Sequence, residues 1–205
     1  MVEMTFDFSK LEARRLRLRQ GVRQSAKSSV ADTTRAAEKA LEQATAGVTK
    51  GNLYRAWASD TYPSGGRLSD SPSGFIYVNG SHRTKGPIRA ITQGAVITGK
   101  RGQQVAVPLP GVREAFGTAL RGRYSIVLTP KVYTQRTGRK LVPIVRPGKP
   151  TLLAYRTPEK IVPVFILMKQ VTIRQRFSMA QILRPFPARL RAEFMANLRA
   201  LPEWK

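Results

Sequence analysis

Residue types able to do acid–base, nucleophilic or metal chemistry are scarce in this chain, and their spacing brings few of them together. Of 205 residues, one is His and none is Cys. Thiolate nucleophiles, disulfides, thiolate metal sites and His-pair metal sites therefore fall away. Ser81 and His82 are adjacent, but neighbours on an extended chain point to opposite faces, and no acid lies nearby to orient the ring. His82 reads as a surface loop residue. The 12 acids are sparse and separated, so no carboxylate pair for general acid–base work is suggested. Gly65-Gly66 and Gly99–Gly102 lack the strand–loop–helix setting of a phosphate loop and read as turns. No enzyme is expected, and no catalytic, cofactor-binding or metal-binding residue.

Charge is the sequence's strongest signal. It carries 36 Lys and Arg against 12 acids, a net charge of +24 with a pI near 11.5. Six of the acids (Glu3, Asp7, Glu12, Asp32, Glu38 and Glu42) fall in the first 42 residues, whereas Ser71–Pro158 holds 15 Lys or Arg and one acid, Glu114. The basic residues there are interspersed with Val, Ile, Tyr and Pro, unlike a solvated disordered tail. Self-repulsion at this imbalance disfavours the compact state, so an acidic partner, either protein or nucleic acid, is implied. No helix-turn-helix, zinc-finger or RNP signature is present. Tyr124, Tyr133 and Tyr155 interleave with cations in a way that suits stacking on single strands, although strand aromatics packed on a sheet face explain them better.

Length allows one domain, which divides by pattern into a long N-terminal helix (1–50), a β-rich core with basic loops (51–176) and a C-terminal helix packing on that core (177–205). Phe8–Lys50 predicts the long helix, with Gly21 as the place where it can break, because Leu11, Leu18, Val22, Ala26, Val30, Ala37, Leu41, Ala44 and Val48 recur at helical spacing. Asn52–Asp60 suggests one more helical turn with Leu53, Tyr54 and Trp57 inward. Tyr62–Gly74 reads as a long loop. Strands are expected over Gly74–Asn79, Ile88–Thr98, Gln103–Leu109, Tyr124–Thr129, Val132–Thr134, Leu141–Val145, Thr151–Tyr155 and Val162–Ile173, with Gly99–Gly102 as a hairpin turn. Pro108, Pro130, Pro143 and Pro163 push several of these to edges or strand starts. Phe177–Leu201 is helical, interrupted at Arg184–Pro187, with Pro187 suited to a first helical position. The class is α+β: long N-terminal helix, mostly antiparallel sheet, C-terminal amphipathic helix. No apolar run approaches the roughly 20 residues that span a bilayer, and Met1–Lys10 has acids and no apolar h-region. A soluble intracellular protein is the expectation.

Three segments carry a resemblance. They are Ile88–Pro110 (IRAITQGAVITGKRGQQVAVPLP), Val162–Phe177 (VPVFILMKQVTIRQRF) and Phe186–Leu198 (FPARLRAEFMANL). With the long N-terminal helix and Trp57, their order resembles the tail-completion or neck family of tailed bacteriophages related to lambda minor tail protein Z, and more distantly the HK97-type tail component family. Lys131–Pro158 departs from that pattern. The resemblance implies a virion structural protein of the neck, present in the host cytoplasm during assembly. It implies tail completion or head-to-tail joining as a subunit of a homo-oligomeric ring, a hexamer, with tail terminator, connector or stopper, and tail tube as partners. Genomic DNA in the channel is a further contact, while membrane, small-molecule substrate and cofactor are not expected. Six copies at +24 each bring about +144 together, a load that needs acidic neighbours or DNA to neutralise it. The residues placed to meet such partners are Arg14, Arg15, Arg17 and Arg19 on the first helix, Lys100 and Arg101 at the hairpin tip, and Arg136, Arg139 and Lys140 in the loop Thr134–Lys140. The alternative is a non-specific basic nucleic-acid-binding protein.

Overall fold

Ser9–Val48 is one unbroken helix, α1, of 40 residues, about 60 Å long at 1.5 Å per residue. Strong helix formers (Ala, Arg, Lys, Glu, Gln) fill it and no Pro interrupts it. The computed structural model describes residues 9–112 and 128–202. They belong to two compact units, 1–94 with 174–205, and 95–173. The boundaries thus fall inside the region expected as a single β-rich core. The class is α+β, and every strand pair is antiparallel.

In the first unit, α1 carries a row of mostly small residues at every fourth position, with Leu41 the one large member. Ser25, Ser29, Thr33, Ala37, Leu41 and Thr45 are all buried. Burying a hydroxyl without a partner is costly, and here the helix itself supplies acceptors. Ser29 donates to the Ser25 carbonyl (2.7 Å) and Thr45 to that of Leu41 (2.8 Å); off the row, Thr34 donates to Val30 (2.6 Å). Gly21 does not break the helix. A Cβ there would lie 3.1 Å from both Leu201 methyls, so the glycine admits the C-terminal segment against α1.

Two layers use this row. A short 3-10 turn, Leu53–Ala56, leads into the hairpin β1 (Trp57–Tyr62) and β2 (Ser73–Val78), registered from Trp57↔Val78 to Tyr62↔Ser73. The further helical turn expected over Asn52–Asp60 therefore stops at Ala56, where aromatic and β-branched residues favour pairing. Trp57 is buried, and its indole N–H donates to Thr45 Oγ1 at 2.8 Å. Gly74 lies where β2 crosses α1: a Cβ would sit 1.9 Å from Thr34 Oγ1. The second layer is the C-terminal pair α4 (Met179–Leu183) and α5 (Phe186–Arg199). Helix α5 runs antiparallel to α1: Asn197 Nδ2 donates to Ser29 Oγ (2.8 Å), and one turn on, Thr33 Oγ1 donates to Glu193 (2.9 Å). Pro187 is the second residue of α5, within the first turn, where its missing N–H costs nothing. Leu41, Ala56, Trp57 and Ile88 form the core, with Leu53, Ile76, Val78, Phe177 and Met179 packed on it.

Ile88 belongs to a helix, and this corrects the strand expected over Ile88–Thr98. Ser81 caps α2 (His82–Gln93), which ends at Gly94 with φ 77°; only Ala95–Thr98, β3, is extended. Thr92 returns its hydroxyl to the Ile88 carbonyl (2.9 Å), so the β-branched run that suggested a strand is accommodated by helix packing.

The second unit holds β3 and a four-stranded sheet, β4 (Val105–Pro108), β7 (Ile161–Met168), β6 (Lys149–Arg156) and β5 (Val142–Arg146), in that spatial order. The long strand expected over Val162–Ile173 breaks at Lys169 into β7 and β8 (Gln170–Ile173). Strand β3 pairs with β8 and β4 with β7. Hence β3 and β4 are not a hairpin. They line up end to end, β3 along β8 and β4 along β7, with 99–104 bulging out between them. Pro163, in a central strand, is tolerated because β4 reaches only to Phe165 and the β6–β7 register shifts beside it. The strand expected over Val132–Thr134 is also helical: Thr129 caps α3 (Pro130–Thr137), Pro130 is its first residue, and Gly138 closes it at φ 68°. Tyr133 of α3 is buried on Val164 and Phe165, stacked on Tyr155 (6.4 Å) and edge-on to Phe165 (6.0 Å). It therefore packs on the sheet from a helix. The strand expected over Tyr124–Thr129, with Tyr124, lies outside the described residues up to 127.

Two substitutions and one control test this account of the first unit. Thr45→Ala leaves the Trp57 indole N–H buried without an acceptor and is expected to cost about 1–3 kcal/mol in urea unfolding followed by tryptophan fluorescence. Gly74→Ala is expected to destabilise comparably by forcing β2 off Thr34, while Gly66→Ala, which meets nothing within 4 Å, leaves the midpoint unchanged.

Candidate partner-binding surface

The basic residues singled out in the sequence occupy three places. Arg14, Arg15, Arg17 and Arg19 are all exposed on the first turns of α1. Among the described residues, Leu201 meets α1 at Gly21 and Asn197 meets it at Ser29, both beyond these turns. Arg17 donates within the helix to the Ala13 carbonyl (3.4 Å). Arg19 differs: its Nη2 lies 3.3 Å from Asp70.

Arg19 is the edge of a tether that the sequence did not suggest. Arg23 donates through Nε and Nη2 to the two Asp70 oxygens, each at 2.6 Å, the bidentate fork that fits a carboxylate best. One turn on, Lys27 donates to the carbonyls of Gly65 and Arg67. The loop from Pro63 to Pro72, expected only as long and polar, is thereby fastened along α1. The Asp70 carboxyl is lowered to about 2, chiefly by the Arg23 hydrogen bond with further Coulombic help from Arg23 and Arg19. Asp70 is separated from Arg23 by 47 positions, so no local pattern could pair them.

Lys100 and Arg101 are not at a hairpin tip. They open the turn Lys100–Gly102 between two strands that pair with β8 and β7. The turn is tight: a Cβ on Gly99 would fall 1.8 Å from the Gln103 carbonyl oxygen, and Arg101 itself has φ 52°. A non-glycine residue in that left-handed region carries strain, so the arginine is held outward at a conformational cost.

Arg136 lies in the last turn of α3 and not in a loop; Arg139 and Lys140 follow the Gly138 cap. Arg139 stacks its guanidinium on Tyr155 at 4.4 Å from the ring centroid, which fixes one cation over an aromatic face. Lys140 shares an open groove of about 580 Å³ with Lys131, Thr134, Gln135, Leu141 and Leu153. The structure thus places Lys140, beyond the C-terminal cap of α3, in one groove with Lys131 from the first turn of that helix, which was not singled out.

Compensation differs between the units. Among the described residues the ion pairs are Arg19–Asp70, Arg23–Asp70 and Arg189–Glu193, all in the first unit. Residues 95–173 hold fourteen Lys or Arg against Glu114 and Glu159. His82 is the exposed first residue of α2. Among the described residues no group of three or more His, Asp or Glu is placed to hold a metal ion, and no helix is long and apolar enough to cross a membrane. Comparison with protein-family models, characterised proteins and solved structures gives no match.

The Arg23–Asp70 tether has a defined acid limit. A carboxylate whose pKa is lowered on folding stabilises the folded arrangement fully above its ordinary value of 3.8, and that contribution is lost as pH falls toward about 2. Pepsin cleavage between Pro63 and Pro72 is expected to accelerate as pH drops from 4 to 2. In Asp70→Asn the loop is expected to be open to proteases already at pH 7. Equal cleavage of Asp70→Asn and the parent chain at pH 7 would count against the tether.

Proposed function

We propose that this chain is a structural subunit of a tailed-phage neck, a non-enzymatic ring component that acts in tail completion or head-to-tail joining. The observation that carries the reading is uncompensated charge on a built scaffold. Residues 95–173 present a capped helix and an antiparallel sheet whose described cations form no ion pair. Fixed cations of this kind favour assembly only where an anionic surface is brought to them. The segment resemblance supplies the setting. Val162–Phe177 spans β7, β8 and the approach to α4, and Phe186–Leu198 lies in α5, whereas Ile88–Pro110 spans the end of α2, β3 and β4 and is not the strand–turn–strand hairpin read in it. Tail terminator, connector or stopper and tail tube are the proposed partners, with a hexameric ring as the assembly and channel DNA as a second anionic contact.

Reversal of Arg136, Arg139 and Lys140 to Glu in an infectious genome is expected to leave the subunit folded while unjoined heads and tails accumulate by electron microscopy. Infectious particles at normal yield would sink the reading. A purified monomer that shifts duplex DNA with a steep salt slope, in a phage whose joining survives the reversal, would favour a nucleic-acid-binding protein instead.

A further inference from the structure

Two surfaces of the first unit lack partners among the described residues, and they complement each other. The first is the start of α1. Leu11, Arg14, Arg15 and Leu18 follow the i, i+3, i+4, i+7 rule and share one face. That face continues, one helical repeat at a time, into Val22, Ser25 and Ser29, where α5 covers it through Asn197. Toward the start of α1 that cover gives out, with Leu18 half-buried and the residues before it exposed. Leu11 is 67% exposed and Arg14 and Arg15 are exposed, with Leu16 also 61% exposed on the far side. Arginines this near a helix N-terminus oppose the macrodipole, and an uncovered helical end is marginal in water.

The second surface is the outer face of the β1–β2 hairpin. Its inner face is spent on α1: Trp57 bonds Thr45, Ser59 bonds Glu38, and Gly74 meets Thr34. Strand alternation sends Asp60 and Tyr62 of β1, with Phe75 and Tyr77 of β2, to the other side. Three are large aromatics left in solvent, Tyr62 at 62%, Phe75 at 57% and Tyr77 at 43% exposed. Asp60 sits among them, exposed, directly across from Phe75 and accepting the Tyr77 hydroxyl at 2.8 Å.

We propose that the start of α1 of one copy docks on the hairpin face of the next, Leu11 and Leu18 against Phe75 and the tyrosines, Arg14 and Arg15 toward Asp60. This deepens the reading of the chain as a ring subunit and rests on it. A second copy suits the face better than nucleic acid, because Asp60 repels phosphate at the centre of the aromatic patch while attracting arginine. The contact joins unlike surfaces, so it repeats head to tail, the interface type from which rings are built when the rotation closes. At +24 per copy, repulsion opposes it at low salt. Raising salt from 0.1 M to 1 M shrinks the screening length from about 10 Å to about 3 Å, so self-association strengthens with salt.

The test is sedimentation velocity of the full chain at 0.1 M and 1 M NaCl, with Leu11→Glu as the arm variant and Phe75→Glu as the face variant. Both positions are exposed, and circular dichroism checks that both variants fold. The parent chain is expected to be monomeric at 0.1 M and to associate at 1 M, with each variant at least tenfold weaker. The two variants mixed should form a heterodimer, because each retains the surface the other lacks. A parent chain monomeric at both salts, variants that associate like the parent, or a mixture that stays monomeric each overturns the contact. So does a Phe75→Glu variant that loses single-stranded oligonucleotide binding with self-association intact. None of these outcomes touches the joining assay in phage, so the two readings fail separately.

Discussion

The first unit depends on a row of mostly small residues that lets backbones approach α1. Ser25, Ser29, Thr33, Ala37, Leu41 and Thr45 stand four apart, and a four-residue row is inclined to the helix axis. The row therefore winds around α1. Its early members meet α5, where Ser29 and Thr33 bond Asn197 and Glu193, and its late members meet the hairpin, where Thr45 holds Trp57. A straight apolar stripe would serve one neighbour; this winding row serves two. Donating to carbonyls of the same helix frees hydroxyl oxygens to accept from Asn197 and Trp57. Ser29 and Thr45 are thereby buried without an unpaired donor, and Gly21 and Gly74 extend the same close approach at either flank.

Charge is handled differently in the two units. In the first, Arg23 and Lys27 are turned to use, fastening the loop between β1 and β2 onto α1 through Asp70 and two carbonyls. Exposed ion pairs are generally worth little, but a bidentate fork beside two further bonds restricts one loop at several points. In the second, Glu159 is exposed and the other acid is Glu114, so the cations of α3 and its flanks have almost nothing to pair with inside their own unit. Their scaffold is nonetheless well determined, by the Thr129 cap, the Gly138 turn and the buried ring of Tyr133.

Legibility in the sequence followed the range of the forces involved. Helix α1, α5 and strands β5, β6 and β7 were readable because periodicity and β-branched runs are local. Ile88–Gln93 and Val132–Thr134 misled because β-propensity measures fit to a half-buried surface, and helices α2 and α3 bury the same residues by another route. The capping residues were present in both cases: Ser81 before α2, and Thr129, Pro130 and Gly138 around α3. Weighing caps above propensity would have found both helices. The hairpin expected at Gly99–Gly102 failed for a non-local reason, since β7 and β8 compete for both of its strands. The exposed arginines of α1 were placed correctly on the helix, but the Asp70 tether was not, because a pairing across 47 positions leaves no local trace.

The same distinction separates what the basic residues can do. Arg19 and Arg23 are committed to Asp70, and Arg139 is stacked on Tyr155. Arg14 and Arg15 have neither kind of tie in the described chain, yet they lie on the one face of α1 that is covered everywhere else. A solvated charge run would be spread without regard to the buried side of its helix. Here the uncovered cations alternate with Leu11 and Leu18 on the continuation of the packed face. Such a mixed surface matches a partner that offers apolar area and an acid together, which a phosphate backbone does not. The aromatic face around Asp60 offers both on the same molecule. On a chain so rich in positive charge, a surface of that kind is where self-recognition has least repulsion to overcome.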